Sequence, residues 1–197
     1  MKKQLLVLLI AFFGLTHYNY CQTKDDFSSK LPEKTNQKPE GIFEGKNVLQ
    51  IDMNLHNQMM IGNGMATVND VKKLVMEFID NGGGYGFSKN GKPGEPCDYC
   101  NGMRDPNSSD HPTKAAILLQ SDGSTKDEMY ISVQNAIEQA YDELRNKLSV
   151  RIYGRSLDKM EVDYINNPTE SLKVKINNIK EKYPKYIVVK VLNMKKT

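Results

Sequence analysis

Residues 114–153 read KAAILLQSDGSTKDEMYISVQNAIEQAYDELRNKLSVRIY, and this stretch decides the fold class. The short apolar run at 115–120 has the length and composition of a buried strand. Ser121, Asp122 and Gly123 close it, the Asp-Gly pair favouring a tight turn. Thr125 to Glu128 has the form of a capping box, in which the Thr hydroxyl and the Glu carboxylate each accept from an amide that would otherwise lack a partner. Two acids in the first turn suit the helix dipole. Met129, Val133, Ala136, Ile137, Ala140, Tyr141, Leu144 and Leu148 then recur at three- and four-residue steps, while Glu138, Asp142, Arg145 and Lys147 fall mostly elsewhere on the wheel. The spacing predicts one long amphipathic helix ending near Tyr153 and Gly154.

The pattern continues on both sides. Leu49, Ile51, Met53 and Leu55 alternate with Gln50, Asp52 and Asn54, which predicts a half-buried strand over 48–55. His56, Asn57 and Gln58 form a solvated turn, and 59–61 return as a hairpin partner ending at Gly62, Asn63 and Gly64. Residues 67–80 predict a helix with Thr67 as cap and Val68, Val71, Leu74, Val75, Phe78 and Ile79 on one face. The glycines from Gly82 to Gly84 stop it. Residues 82–113 form an insertion rich in Gly, Pro, Asn and Ser. Beyond Gly154, an extended region at 154–197 predicts helices over 156–165 and 167–183, the second with Asn167 as cap and Pro168 at its first position. Tyr186 to Leu192 close the chain as a β-branched strand. The expected class is α+β: a small mixed sheet with helices on one face, in the order ββαβα, then two extra helices and a final strand.

The 197 residues allow one domain plus appendages. Setting aside Lys2 and Lys3 leaves 25 basic residues against 24 acids, which gives no nucleic-acid footprint. Residues 5–15 are apolar apart from Gly14 and follow Met1, Lys2 and Lys3, the layout of a secretory signal. The core is short for a membrane span. Residues 1–22 are therefore expected to act as a signal peptide or signal anchor, placing the chain outside the cytosol, with the membrane reached only through that segment. Cys21 falls at the end of it. Residues 23–45, polar and carrying Pro32 and Pro39, read as a flexible linker, and 46–197 as the domain.

Cys97 and Cys100 are the one motif with chemistry of its own. In an exported chain the expected role is a local structural disulfide. Zinc would need four ligands, and only Asp98, Asp105, Asp110 and His111 lie near in sequence. A thioredoxin-like site calls for a strand feeding a helix whose N-terminus lowers one thiol's pKa, whereas this pair sits in a Pro/Gly-rich loop. An exported thiol-disulfide protein using Cys97 and Cys100 is the alternative reading. No catalytic, cofactor-binding or metal-binding set is expected. Asp122 is explained by its turn, and Gly82, Gly83, Gly84 and Gly86 follow a helix rather than open one, so they make a poor phosphate cradle. Met59, Met60, Met65, Met76 and Met129 read as core filler.

Residues 114–122, 128–135 and 140–145, together with the hairpin ending at Met60, Ile61, Gly62 and Asn63, resemble the periplasmic domain of the ExbD/TolR biopolymer-transport family, in particular its longer-tailed ExbD variants. The resemblance covers roughly 46–153. It implies a non-enzymatic protein in the periplasm, or in the inner membrane facing it. The implied partners are ExbB/TolQ-like channel proteins, TonB/TolA-like proteins and a second copy of the chain, in transport driven by the proton-motive force. The family's membrane helix carries a proton-accepting Asp, and residues 4–19 here contain no acid. An accessory role in TonB-type transport follows, or that of a secreted binding domain which has left the system.

Overall fold

The computed structural model describes residues 45–81, 97–102, 105, 107–123 and 125–192. The leader, residues 23–44 of the linker, Cys21 and the glycines at 82, 83, 84 and 86 lie outside the described residues. A 3₁₀ turn, Gly45–Asn47, leads into β1 (Val48–Met53). The chain then runs through β2 (Met59–Ile61), β3 (Gly64–Ala66), α1 (Val68–Ile79), a second 3₁₀ turn (Pro112–Lys114), β4 (Ala116–Asp122), α2 (Asp127–Tyr153), α3 (Leu157–Asn166), α4 (Glu170–Lys182) and β5 (Ile187–Leu192). This is the expected α+β class, a mixed five-stranded sheet with four helices.

The sheet order is β3-β2-β1-β4-β5. β1 pairs antiparallel with β2, and β2 with β3. β4 lies parallel to β1, Ile51 opposite Leu119, and β5 lies parallel to β4, Leu119 opposite Val189. Side chains alternate across the sheet, so Ile51, Met53, Met59, Ile61, Ile117 and Leu119 share one face and are buried. On the other face the Asp52 carboxylate accepts from Gln120 Nε2 at 2.6 Å and from Gln50 Nε2 at 2.8 and 3.0 Å. Helix residues Val71, Val75, Ile79, Val133, Ile137, Ala140 and Tyr141 close the core over the first face.

The apolar period of α2 is realised as read: Val133, Ala136, Ile137, Ala140, Tyr141, Leu144 and Leu148 are all buried. Its start differs. β4 runs on to Asp122, so the turn falls later, the helix begins at Asp127, and its N-cap is Lys126 without a side-chain cap bond. The Thr125 hydroxyl is directed instead at the carbonyls of Met53, 3.4 Å, and Asn54, 3.5 Å. A Thr-to-acid cap occurs instead at α1, where the amide and hydroxyl of Thr67 both donate to the Asp70 carboxylate, at 2.9 and 2.7 Å, and the Asp70 amide donates to the Thr67 carbonyl at 3.0 Å. Gly154, with φ of 70°, ends α2 in the left-handed conformation that glycine adopts without a Cβ penalty.

Three further readings are corrected. Residues 64–66 form a third strand, Met65 facing Met60 across the pairing, and both of these methionines are exposed rather than core filler. The cap of α4 is Thr169, whose hydroxyl accepts from the Leu172 amide at 3.3 Å. Asn167 instead completes α3, its amide donating to the Asp163 carbonyl at 2.8 Å, which leaves Pro168 between the helices where no amide donor is required.

Ile137→Asp places a carboxylate in the closed core and is expected to cost several kcal/mol, enough to abolish folding. Glu138→Ala removes only a surface ion pair with Lys185 and is expected to cost under about 1 kcal/mol. Urea melts of the two variants check the contrast. Asp70 has its pKa held below the ordinary carboxylate value by the hydrogen bonds from Thr67. A depressed folded pKa contributes stability above the unfolded pKa that is lost as pH falls through the folded one. Asp70→Asn is therefore expected to melt earlier than wild type at pH 7, and the gap to close in acid below the carboxylate range.

Candidate interaction surface and the disulfide loop

β5 is the long edge of the sheet. Its inner side bonds to β4: the Ile117 amide donates to the Tyr186 carbonyl at 2.9 Å, and the Gly123 amide to the Leu192 carbonyl at 3.2 Å. By the two-residue period of a strand, the even-numbered residues turn their amides and carbonyls toward β4, and Ile187, Val189 and Val191 turn theirs outward. Among the described residues no strand pairs with that outer side. Ile187 packs partly against the core, and beyond it side chains are exposed on both faces, Val188 by 46%, Val189 by 41%, Val191 by 56% and Leu192 by 42%. Lys190 sits among them, also exposed. Such an edge is a ready template for another strand.

Cys97 and Cys100 are joined, with Cα atoms 5.5 Å apart. The ring they close presents Tyr99, 8% exposed, to the ends of two helices. Its hydroxyl donates to the Lys182 carbonyl in the last turn of α4, at 2.8 Å. Its own carbonyl accepts from Arg151 Nη2, in the last turn of α2. The ring packs edge-on against Tyr183 and His111, centroids 5.5 and 5.6 Å away, under the Lys182 ammonium at 4.4 Å. Tyr183 in turn donates to Asp80 Oδ1 at 2.6 Å, just past the end of α1, while its carbonyl accepts from Arg145 Nε and Nη2 at 2.9 and 2.7 Å. Burial, with the nearby Asp98 and Asp80 carboxylates, pushes the Tyr99 hydroxyl up to about 12. Burial also raises Asp80, against the pull of the Tyr183 hydroxyl and the Asn101 amide.

The rest of the loop is tied to the same helix end. The Asn81 side chain donates to the carbonyls of Asp105 and Ser109, at 2.8 and 2.9 Å, and accepts from the Asp105 amide at 2.7 Å. The backbone of Gly102 lies so close that an added Cβ would sit 1.9 Å from the Asp80 carbonyl oxygen. Three of the residues weighed as zinc ligands are engaged elsewhere. His111 Nδ1 lies 2.7 Å from the Thr113 hydroxyl, Asp110 pairs with Lys46 at 2.5 Å, and Asp105 accepts from the Asn107 amide at 2.8 Å. Among the described residues no three His, Cys, Asp or Glu side chains gather as a ligand set. A shallow cleft of about 440 Å³ lies between the β2–β3 hairpin and the start of α2, bordered by Met59, Met65, Lys126 and Met129. Asp122, expected in a turn, is the last residue of β4.

Among the described residues, no helix is long and apolar enough to cross a membrane. No protein-family model matches the chain, and no curated protein matches it.

Two substitutions test the loop's attachment. Gly102→Ala forces apart two backbones that have no flexible side chain to yield, and is expected to cost about 3 kcal/mol. Tyr99→Phe keeps the ring and leaves the Lys182 carbonyl without its donor, at an expected cost of about 1–2 kcal/mol. Denaturant midpoints rank them, wild type above Tyr99→Phe above Gly102→Ala.

Proposed function

We propose that the protein acts without catalysis, as an ExbD/TolR-like envelope protein that binds a partner protein by strand addition, serving as a component or accessory of TonB-type transport driven by the proton-motive force. The observation that carries this reading is the outer side of β5, which no strand among the described residues pairs, six residues long and apolar on both faces. Supporting it, the stretches that resemble the family fall on β1 and β2, on β4, and on the first two-thirds of α2. The missing acid in residues 4–19 favours the accessory role. Against a thiol-disulfide enzyme stands the placement of Cys97, buried in a loop whose Tyr99 meets the C-terminal turns of two helices rather than at the start of a helix fed by a strand.

The edge also selects its partner. Val189 and Val191 lie on the helix side of the sheet, and Val188, Lys190 and Leu192 on the other. An added strand must therefore bring apolar residues to the helix side, and an acidic residue opposite Lys190 adds a favourable cross-strand pair.

Val189→Pro separates folding from binding, because it removes an outward amide and none that bonds to β4. The variant is expected to keep its circular dichroism and to lose the partner. A photo-crosslinking residue at Val191, in the native envelope, is expected to give an adduct with an ExbB/TolQ-like or TonB/TolA-like protein, absent when Val189→Pro is added. An adduct undiminished in the folded proline variant, or no adduct at all, overturns the reading.

A further inference from the structure

We propose that the Cys97–Cys100 disulfide is a redox clasp on the binding edge: while closed, it holds Tyr99 against the end of α4 and so fixes the chain entering β5. The inference rests on the reading of β5 as the edge that binds.

A disulfide between residues three apart closes a very small ring and limits the unfolded chain little, so its main effect in the folded protein is local. What it holds locally is Tyr99. That side chain reaches 83 positions along the sequence to the carbonyl of Lys182, one of the carbonyls a helix end leaves without an internal partner. Lys182 adds its ammonium over the Tyr99 ring, and the next residue, Tyr183, packs edge-on against it. β5 starts at Ile187, only a short way beyond. The outward amides of Val189 and Val191 are thus presented by a strand whose approach is moored to the disulfide ring. Other contacts in this region, Arg145 on the Tyr183 carbonyl, Tyr183 on Asp80 and Lys185 on Glu138, do not involve the disulfide ring and are expected to keep the core closed when it opens.

The chemistry needs an external dithiol as reductant. Cys97 is buried and Cys100 half-buried, so attack is taken to fall on Cys100, the more exposed residue of the pair. A thiolate of the reductant attacks the Cys100 sulfur, the Cys97–Cys100 bond breaks, and Cys97 leaves as a thiolate that takes a proton. The reductant's second thiolate then attacks its own sulfur in the mixed disulfide, releasing Cys100 as a thiolate that is protonated in turn. Two electrons and two protons end on the two cysteines, and the reductant is left as a disulfide. Tyr99 then sits on an open loop, and its bond to Lys182 competes with the freedom that loop has gained.

Native-state hydrogen exchange on the full chain, oxidised and reduced with dithiothreitol, tests the clasp. Reduction is expected to speed exchange about tenfold over residues 182–192 while the middle of α2 is unchanged. Reoxidation is expected to restore protection, and Cys97→Ser/Cys100→Ser to exchange like the reduced protein with no response to dithiothreitol. Tyr99→Phe, with the disulfide intact, is expected to reproduce part of the effect. Equal exchange over 182–192 in the oxidised and reduced wild type overturns the clasp, whatever the serine variant does. The Val191 crosslink, measured in both redox states, separates the two readings. A yield that changes with reduction supports the clasp acting on binding, and an equal yield in both states overturns that link. A redox-dependent exchange with no adduct in either state overturns the binding reading and leaves the mechanical clasp standing.

Discussion

The parallel pairing of β4 with β1 on one side and β5 on the other is the constraint from which the rest of the architecture follows. Parallel neighbours cannot be joined by a tight turn, so each pair requires a crossover. The first crossover contains α1 and the long insertion; the second is α2, α3 and α4. The alternating burial of β1, β2 and β4 shows that the covering falls on one face. β5 arrives last and joins the outside of β4, where nothing among the described residues follows to cover its far side. The bare edge is a consequence of the topology, and the apolar residues on it are the part that the topology does not require.

The same crossovers bring helix ends together. The C-termini of α1, α2 and α4 all meet residues 97–102, and helix C-termini carry carbonyls that need donors. The donors come from side chains: Tyr99 for Lys182 and Arg145 for Tyr183, while Arg151 of α2 satisfies the carbonyl of Tyr99 itself. These hydrogen bonds are partly buried, and a carbonyl withdrawn from water without a donor is costly. The loop is therefore part of the packing of three helices. Its attachment to α1 is made at the level of backbone by Gly102, where no larger residue fits.

What was legible in the sequence was periodicity. The three- and four-residue steps of α2 and the alternation of β1 follow from one buried face each, and the apolar positions from Val133 to Leu148, with Ile51 and Met53, are buried as the spacing predicts, whereas β1 ends at Met53 and leaves Leu55 exposed. Caps were less legible, because Thr125 and Asn167 satisfy the local rule and lose to the neighbouring element: β4 extends by two residues, and α3 takes Asn167 for itself. β3 escaped notice because three residues beside two glycines hold too short an alternation to detect. The Tyr99 junction left no local signal at all, since its partners lie scattered along the chain from 80 to 183. Only the Cys97–Cys100 spacing marked the place. The run at 187–192 was readable as a strand, yet a β-branched run of this kind ordinarily marks a strand buried on both faces, and nothing local distinguishes an edge that is bare.

The two edges of the sheet are managed differently, and the difference bears on where a partner can add. β3 is three residues long and passes almost at once into α1, with only Thr67 between them, so an added strand would find few backbone groups in line. Short strands of this kind are one of the ways proteins blunt an edge. β5 has six residues, no proline and a single charge, Lys190. One lysine on an edge discourages pairing with an identical register of lysines, through like charges brought opposite each other, while leaving pairing with an acidic strand favourable. An edge that is long, apolar on both faces and marked by one central cation is thus open to a strand of the right chemistry, whereas β3 is closed by its length.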